Sequence, residues 1–320
     1  MFFEGSEKKA EIIIDKNSLS LLNDIDDCFW QNMVERCNAQ IISSVSNSEC
    51  KAFLLSESSL FVWHNKLLII TCGVTTLVDS VEYFLQHIDN ILIRQVIYQR
   101  KNEYFAHAQL SSFSEDSKRL SSIIDGKAYR FGEIDSHHNY IFHQHNNFQA
   151  NENNKTYQLL AYQINKQVSE RLTRPNLTPA CVRDFLNIEV LFPGYSIDDF
   201  VFQPYGYSLN AIRGEEYITI HITPQAMSSY VSFESNVDLF KVTKQLLSIL
   251  QPASFDFLTF NESNFDQQIT TYVPEQYKSK ALVKDELSNG YLVCFATFIW
   301  PQTIYTDAQR LDTKSISHAL

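Results

Sequence analysis

With 320 residues, 44% of them hydrophobic and 13% aromatic, the chain has enough apolar material for a sizeable core. Its 37 acidic residues outnumber 26 lysines and arginines, giving a formal net charge of −11. That balance speaks against nucleic acid or an anionic membrane surface as a partner, since both need basic patches, and suits cationic small molecules. The start, Met-Phe-Phe-Glu-Gly, lacks the basic region and long apolar run of a signal peptide. No apolar segment reaches the roughly 18 residues of a membrane span. Six cysteines, at 28, 37, 50, 72, 181 and 294, show no two-residue spacing and read as reduced thiols of a cytoplasmic protein.

In chain order, the pattern predicts a strand over 9–14 and a helix over 24–37, capped by Asn23 or Asp24. Strands follow over 39–46, 51–55, 59–63 and 66–72. Leu77, Val81, Phe84, Leu85 and Ile88 mark one face of a helix over 75–89. A strand over 90–99 and a helix over 112–124 come next. Strands are then expected over 127–132, 138–143 and 156–164, and a helix over 179–186 behind Thr178. Further strands cover 198–205, 216–223 and 229–235, followed by a helix over 237–250 and strands over 254–260 and 290–299. Runs of strands and helices without strict alternation favour an antiparallel α+β fold. The two halves share a rhythm without a residue-level repeat. No linker composition divides them, so a single domain over 1–320 is expected. The tail from Asp307 to Leu320 reads as polar and frayed.

The most informative stretch is 53–73. Apolar β-type runs flank Ser56-Glu57-Ser58-Ser59, which reads as strand, tight bend, strand. Serines in such a bend ordinarily satisfy turn hydrogen bonds. Yet Leu55-Ser56-Glu57-Ser58-Ser59-Leu60-Phe61-Val62, followed by Thr71-Cys72-Gly73-Val74-Thr75, resembles the self-cleavage site of the eukaryotic-type S-adenosylmethionine decarboxylases. Two distant blocks resemble the same family. One is Phe2-Phe3-Glu4-Gly5-Ser6-Glu7-Lys8. The other is Gly206-Tyr207-Ser208-Leu209-Asn210 with Tyr217–Pro224 and Tyr230–Glu234.

The resemblance implies a four-layer α/β-β/α sandwich, two antiparallel sheets face to face with helices outside. It implies cleavage between Glu57 and Ser58, giving a small chain 1–57 and a large chain 58–320 capped by a pyruvoyl group derived from Ser58. That ketone would form a Schiff base with the substrate amine and accept electrons as carbon dioxide leaves. No metal and no pyridoxal phosphate would be needed. His221 would be the base of the processing elimination, Ser208 a hydrogen-bond donor to the cyclic intermediate, and Cys72 the proton donor to the α-carbon. Glu4 and Glu7 match active-site carboxylates. Phe3 and Phe202 match an adenine-stacking pair, and Glu57 a substrate-contacting position.

Two departures stand out. Gln225 occupies the position of a ribose-binding glutamate, and an amide has one accepting oxygen where a carboxylate has two. Residues of a putrescine-binding network correspond to Ile70, Asn154 and Gln158, with Glu11 and Glu234 retained. No putrescine activation is expected. Decarboxylation of S-adenosylmethionine for spermidine synthesis is the leading expectation. Decarboxylation of another amino acid, such as ornithine or arginine, or a non-catalytic regulatory role are the alternatives, with a homodimer possible. Two further features are discounted. His137, His138, His143 and His145 cluster without an acidic or cysteine partner to complete a metal site. The acceptor patterns at Asn176 and Asn261 would go unused in a cytosolic chain.

Overall fold

The computed structural model of the chain describes residues 3–225, 229–302 and 308. Its first half runs β1 (Lys8–Ile14), α1 (Leu21–Asp24), α2 (Asp27–Arg36), β2 (Ile41–Ser46), β3 (Cys50–Leu55), β4 (Ser58–Trp63) and β5 (Lys66–Thr71). It continues with α3 (Leu77–His87), β6 (Ile93–Lys101), α4 (Phe113–Ser121), β7 (Gly126–Gly132) and β8 (His138–Gln144). The second half runs β9 (Thr156–Tyr162), α5 (Lys166–Leu172), α6 (Pro179–Leu186), α7 (Ile188–Leu191), β10 (Ser196–Val201) and β11 (Tyr207–Arg213). It closes with β12 (Glu216–Pro224), β13 (Ser229–Ser235), α8 (Phe240–Leu250), β14 (Ser254–Phe260), α9 (Phe265–Tyr272), β15 (Lys278–Glu286) and β16 (Leu292–Ile299).

The first eight strands form one antiparallel sheet in the order β2-β3-β4-β5-β1-β6-β8-β7. The second eight form another in the order β10-β11-β12-β13-β9-β14-β16-β15. Adding eight to each label of the first sheet gives the second, so the shared rhythm of the halves is a shared topology. The sheets lie face to face, and strand alternation explains the four layers. Along β4, Leu60 and Val62 pack with Trp30, Val81 and Phe84 of the outer helices. Phe61 and Trp63 point the other way, into a cluster with Ile212 and Tyr217 of the second sheet, with the Phe61 and Tyr217 rings 5.0 Å apart. The second sheet carries α5, α6, α8 and α9 on its own outer face, through Leu172, Val182, Leu247 and Phe265. The α+β four-layer sandwich is therefore the observed architecture.

Element boundaries depart from the sequence reading where capping and edge effects decide. The first long helix begins at Asp27, not 24, because Asp26 Oδ1 accepts from Phe29 N at 2.9 Å; Ser20 caps a separate short turn before it. Residues 90–92 form a 3₁₀ turn, so β6 starts at Ile93 and runs on to Lys101. The strand expected over 198–205 ends at Val201. Six elements were not expected from the sequence, the single-turn helices α1 and α7 among them. β11 alternates Tyr207, Leu209 and Ala211 with the buried polar Ser208 and Asn210, and β15 is a charged, exposed edge without an apolar stripe. Helices α5 and α9 are short and polar. The carboxyl-terminal tail lies outside the described residues, apart from Ala308.

Candidate active site

The β3–β4 hairpin pairs Leu55 with Ser58 and leaves Ser56 and Glu57 as its two-residue loop. Gln40 pins the loop from the side: Ser56 N donates to Gln40 O at 2.8 Å, and Gln40 N donates to Ser56 Oγ at 3.0 Å. Ser58 has φ of +138°, a region that side chains with a Cβ disfavour by about 1–3 kcal/mol. Plain alternation would turn Ser58 toward the helices with Leu60. The twisted backbone instead brings both Ser58 and Ser59 to one histidine: His221 Nε2 lies 2.9 Å from Ser58 Oγ and 3.3 Å from Ser59 Oγ.

The carbonyl of Glu57 is held by two donors from the end of β5. Cys72 N–H donates to it at 2.9 Å and the Cys72 thiol at 3.4 Å. Gly73 follows with φ of +67°; a Cβ there would come within 2.9 Å of Glu57 Oε2 and 3.0 Å of the Phe3 ring, so the position requires glycine. Lys8 Nζ donates to Gly73 O at 3.0 Å and fixes the turn from below.

His221 is buried, and burial pushes its pKa down to about 3, so the ring is neutral at ordinary pH. Its Nδ1 lies 2.9 Å from Ser208 Oγ; Ser208 and His221 are direct cross-strand partners on β11 and β12. Thr219 Oγ1 is 2.9 Å from Nε2, and Asn210 Oδ1 accepts from Ser59 Oγ at 2.6 Å. Burial lifts the Cys72 thiol well above 9, with Glu57 adding to the effect, so it remains protonated. Glu57 is lifted to about 7 by burial against an opposing pull from Lys8, and its Oε2 has no hydrogen-bond partner among the described residues.

Glu7, just ahead of β1, keeps the alternation of Lys9 and Glu11 on it, and the three face the second sheet, where Ser232 and Glu234 have the same spacing on β13. Ser232 Oγ donates to Glu7, and Lys9 Nζ meets Glu234 Oε1 at 2.7 Å, both side chains buried. Glu234 also accepts from Tyr217 OH at 2.8 Å, and Lys66 approaches Glu11 at 3.7 Å. Burial raises Glu7 to about 8, with Glu234 adding to it. Glu4 accepts through its carboxylate from Ser6 N at 3.2 Å and Phe105 N at 3.0 Å.

Ser58, Ser208 and His221 thus converge from three strands of both sheets, with Glu57 from the β3–β4 loop and Cys72 from the segment after β5. Gln225 is engaged differently from a ribose contact. Its Oε1 accepts from Phe3 N at 2.8 Å and its Nε2 donates to Phe3 O at 2.7 Å, an amide paired with an amide. The Phe3 ring lies over Gly73, whereas Phe202 meets Phe200 edge-on with centroids 5.0 Å apart; among the described residues no ring contact joins Phe3 to Phe202. Sequence reasoning assigned no role to Ser59, Asn210, Thr219, Lys8 or Lys9. Asn210 and Ser59 sit inside the quoted motifs, and Thr219 precedes His221 by the two residues that share a strand face, so alternation was the available signal. One member of the histidine cluster does meet an acidic residue, though not in a metal-binding arrangement. Asp256, from β14, lies 3.0 Å from His137 Nδ1 and 3.2 Å from buried Lys101. Among the described residues no group of three or more His, Cys, Asp or Glu is arranged to hold a metal ion. Nor, among them, is any helix long and apolar enough to cross a membrane.

Comparison with known proteins shows the family. The family model described as adenosylmethionine decarboxylase matches residues 1–299. The S-adenosylmethionine decarboxylase proenzyme of Trypanosoma cruzi is 31% identical over 322 residues, covering 91% of this chain and 87% of that one. The proenzyme of Leishmania donovani is 31% identical, with 81% and 73% covered, and that of Drosophila melanogaster 33%, with 79% and 81%. The crystal structure of the Trypanosoma brucei AdoMetDC-delta26 monomer has the same fold, with a TM-score of 0.59 at 24% identity, covering 76% of this chain and 99% of that one. The chain therefore belongs to the adenosylmethionine decarboxylase family.

Proposed function

We propose that this chain is a proenzyme that cuts its own backbone between Glu57 and Ser58 and then decarboxylates S-adenosylmethionine, supplying aminopropyl groups for spermidine synthesis. One observation carries the reading: Ser58 is held at φ of +138° with Oγ 2.9 Å from a neutral imidazole, while the preceding carbonyl rests on the Cys72 N–H. These are the requirements for a backbone acyl shift, namely a strained serine, a proton acceptor and donors on the oxygen that becomes negative. An in-chain pyruvoyl group fits residues so arranged.

In the proposed sequence Ser58 Oγ attacks the Glu57 carbonyl carbon and gives its proton toward His221 Nε2. The C–N bond breaks, its nitrogen takes up a proton, and Glu57 is left as an ester on Ser58. With Nδ1–H donating to Ser208, the Ser208 hydroxyl proton is free to steady the cyclic intermediate. His221 then removes the Ser58 α-proton, Glu57 departs as the carboxylate end of the 1–57 chain, and hydrolysis releases ammonia. The resulting pyruvoyl group supplies a carbonyl that binds the substrate amine and takes up the electrons freed with carbon dioxide. Cys72, kept as a thiol by burial, returns a proton to the α-carbon. The Phe3 ring over Gly73, with Phe202, offers stacking faces for adenine, a contact of roughly 1–3 kcal/mol. Glu4 and Glu57 put acidic groups near a cationic substrate, whereas Glu7, lifted to about 8, is largely protonated at neutral pH and can donate a hydrogen bond.

The same reading covers regulation. Lys9 is a built-in cation between Glu234 and the carboxylates that share its strand face, so putrescine is not needed for activity. Every residue invoked comes from one chain of one domain, so a homodimer is not required to complete the site. Six unpaired cysteines suit the cytoplasm. A mass spectrum of the purified protein tests the processing: fragments 1–57 and pyruvoyl-capped 58–320 are expected, and a single uncut chain from Ser58→Ala. Carbon dioxide release from carboxyl-labelled S-adenosylmethionine, run beside ornithine and arginine, tests the substrate; release from either amino acid alone would overturn it.

A further inference from the structure

Two adjacent serines reach the same ring nitrogen, yet the processing proposed above uses one of them. His221 Nε2 has Ser58 Oγ at 2.9 Å and Ser59 Oγ at 3.3 Å. Asn210 separates their roles. Its Nδ2 donates to Phe53 O at 3.1 Å. A main-chain carbonyl only accepts, so the amide is oriented with its oxygen toward the hydroxyls. That oxygen accepts from Ser59 Oγ at 2.6 Å and from Thr219 Oγ1 at 3.1 Å. A hydroxyl has one proton, and Ser59 commits it to the shorter contact. Toward Nε2, Ser59 can then offer only lone pairs; Thr219 Oγ1 stands between the two acceptors, 2.9 Å from Nε2 and 3.1 Å from Asn210 Oδ1. Of the two serines, Ser58 is the one whose proton remains free for the ring.

We infer that Asn210 is a positioning residue that selects Ser58 over Ser59 as the reacting hydroxyl, by drawing the Ser59 proton away from His221 while tying the two sheets together across the hairpin. The residue is suited to both tasks. It is fully buried, as is Ser59, so no water competes for these protons. It lies on β11 of the second sheet and bonds to Phe53 of β3 and Ser59 of β4 in the first. An aspartate there would accept from the hydroxyls but would set a negative oxygen against the Phe53 carbonyl. A leucine would leave both serine protons to compete for Nε2. The inference rests on the self-cleavage reading and adds the choice of nucleophile to it.

The test is a double-substitution cycle on the full chain, reading the rate at which the 1–57 fragment appears. Asn210→Ala is expected to slow processing at least about tenfold, and adding Ser59→Ala to recover most of that loss, because the competing hydroxyl is gone. A purely structural role for Asn210 would give no such rescue, since the second substitution removes a further buried hydrogen bond. Ser59→Ala alone is expected to process within about threefold of wild type. If Asn210→Ala does not fold, that last variant still decides: a Ser59→Ala rate more than tenfold down would overturn the inference by showing that the Ser59 hydroxyl itself takes part. Absence of rescue in the double variant overturns it as well. Wild-type protein that never cuts would instead bring down the self-cleavage reading.

Discussion

Lys9 and Glu234 offer the sharpest test of the charge arrangement between the sheets. Their charged atoms are 2.7 Å apart, and both side chains are almost wholly buried. At an effective dielectric near 20 the attraction is about 6 kcal/mol, most of it offset by stripping water from both ions. Replacing Lys9 with methionine keeps the unbranched stem and removes the charge. Glu234 is then left buried with the Tyr217 hydroxyl as its remaining donor among the described side chains, and the expected loss is about 3–5 kcal/mol. The double variant Lys9→Met/Glu234→Gln removes both charges and should recover more than half of it. The measurement is urea unfolding in the Ser58→Ala background, where a single chain gives one transition to analyse. Activity provides a second arm in processed enzyme: putrescine should leave wild type unchanged and partly restore Lys9→Met. A single-variant cost below about 1 kcal/mol, or a double variant no better than the single, would refute the account of Lys9 as an internal counter-ion. Activation of wild type by putrescine would refute its regulatory corollary.

Other expectations follow from the same geometry. Gln225→Glu distinguishes two uses of that side chain. If the amide holds the Phe3 backbone, the carboxylate loses the donor to Phe3 O and raises KM, at roughly 0.5–1.5 kcal/mol or about 2–12-fold; if it serves a ribose, KM falls instead. Cys72→Ala keeps the N–H on the Glu57 carbonyl but loses the thiol, so fragments should still appear while turnover drops by about 10²–10⁴-fold. Glu7 titrates near 8 rather than the ordinary 4.5. A raised carboxyl pKa stabilises the fold below 4.5, and that contribution is lost as pH climbs toward 8. Melting temperature in the Ser58→Ala background should therefore fall between pH 5 and 8, and Glu7→Gln should flatten that fall. Gly73→Ala should slow processing, because its Cβ would press on Glu57 Oε2 and on Phe3; unchanged kinetics would remove the role given to that turn.

The amino-acid sequence by itself determined the local frame. Alternating apolar residues drew most strands, the 3.6-residue period drew α2, α3 and α8, and a Thr178-Pro179 start placed α6 at its observed bounds. The hairpin around Ser58 was legible because apolar runs flank a polar bend. Tertiary structure decided what those residues meet. β11 was missed although Tyr207, Leu209 and Ala211 alternate with polar residues, and β15 because its exposed, charged edge carries no apolar stripe. Lys9 looks like a solvated lysine in the sequence and becomes an internal cation only when β13 brings Glu234 across from the other sheet. Asn210 sits more than 150 residues from its partners Phe53 and Ser59. Sequence patterns report which face of an element a residue occupies; which second face it meets depends on how the two sheets stack, and that is set by packing across the whole molecule.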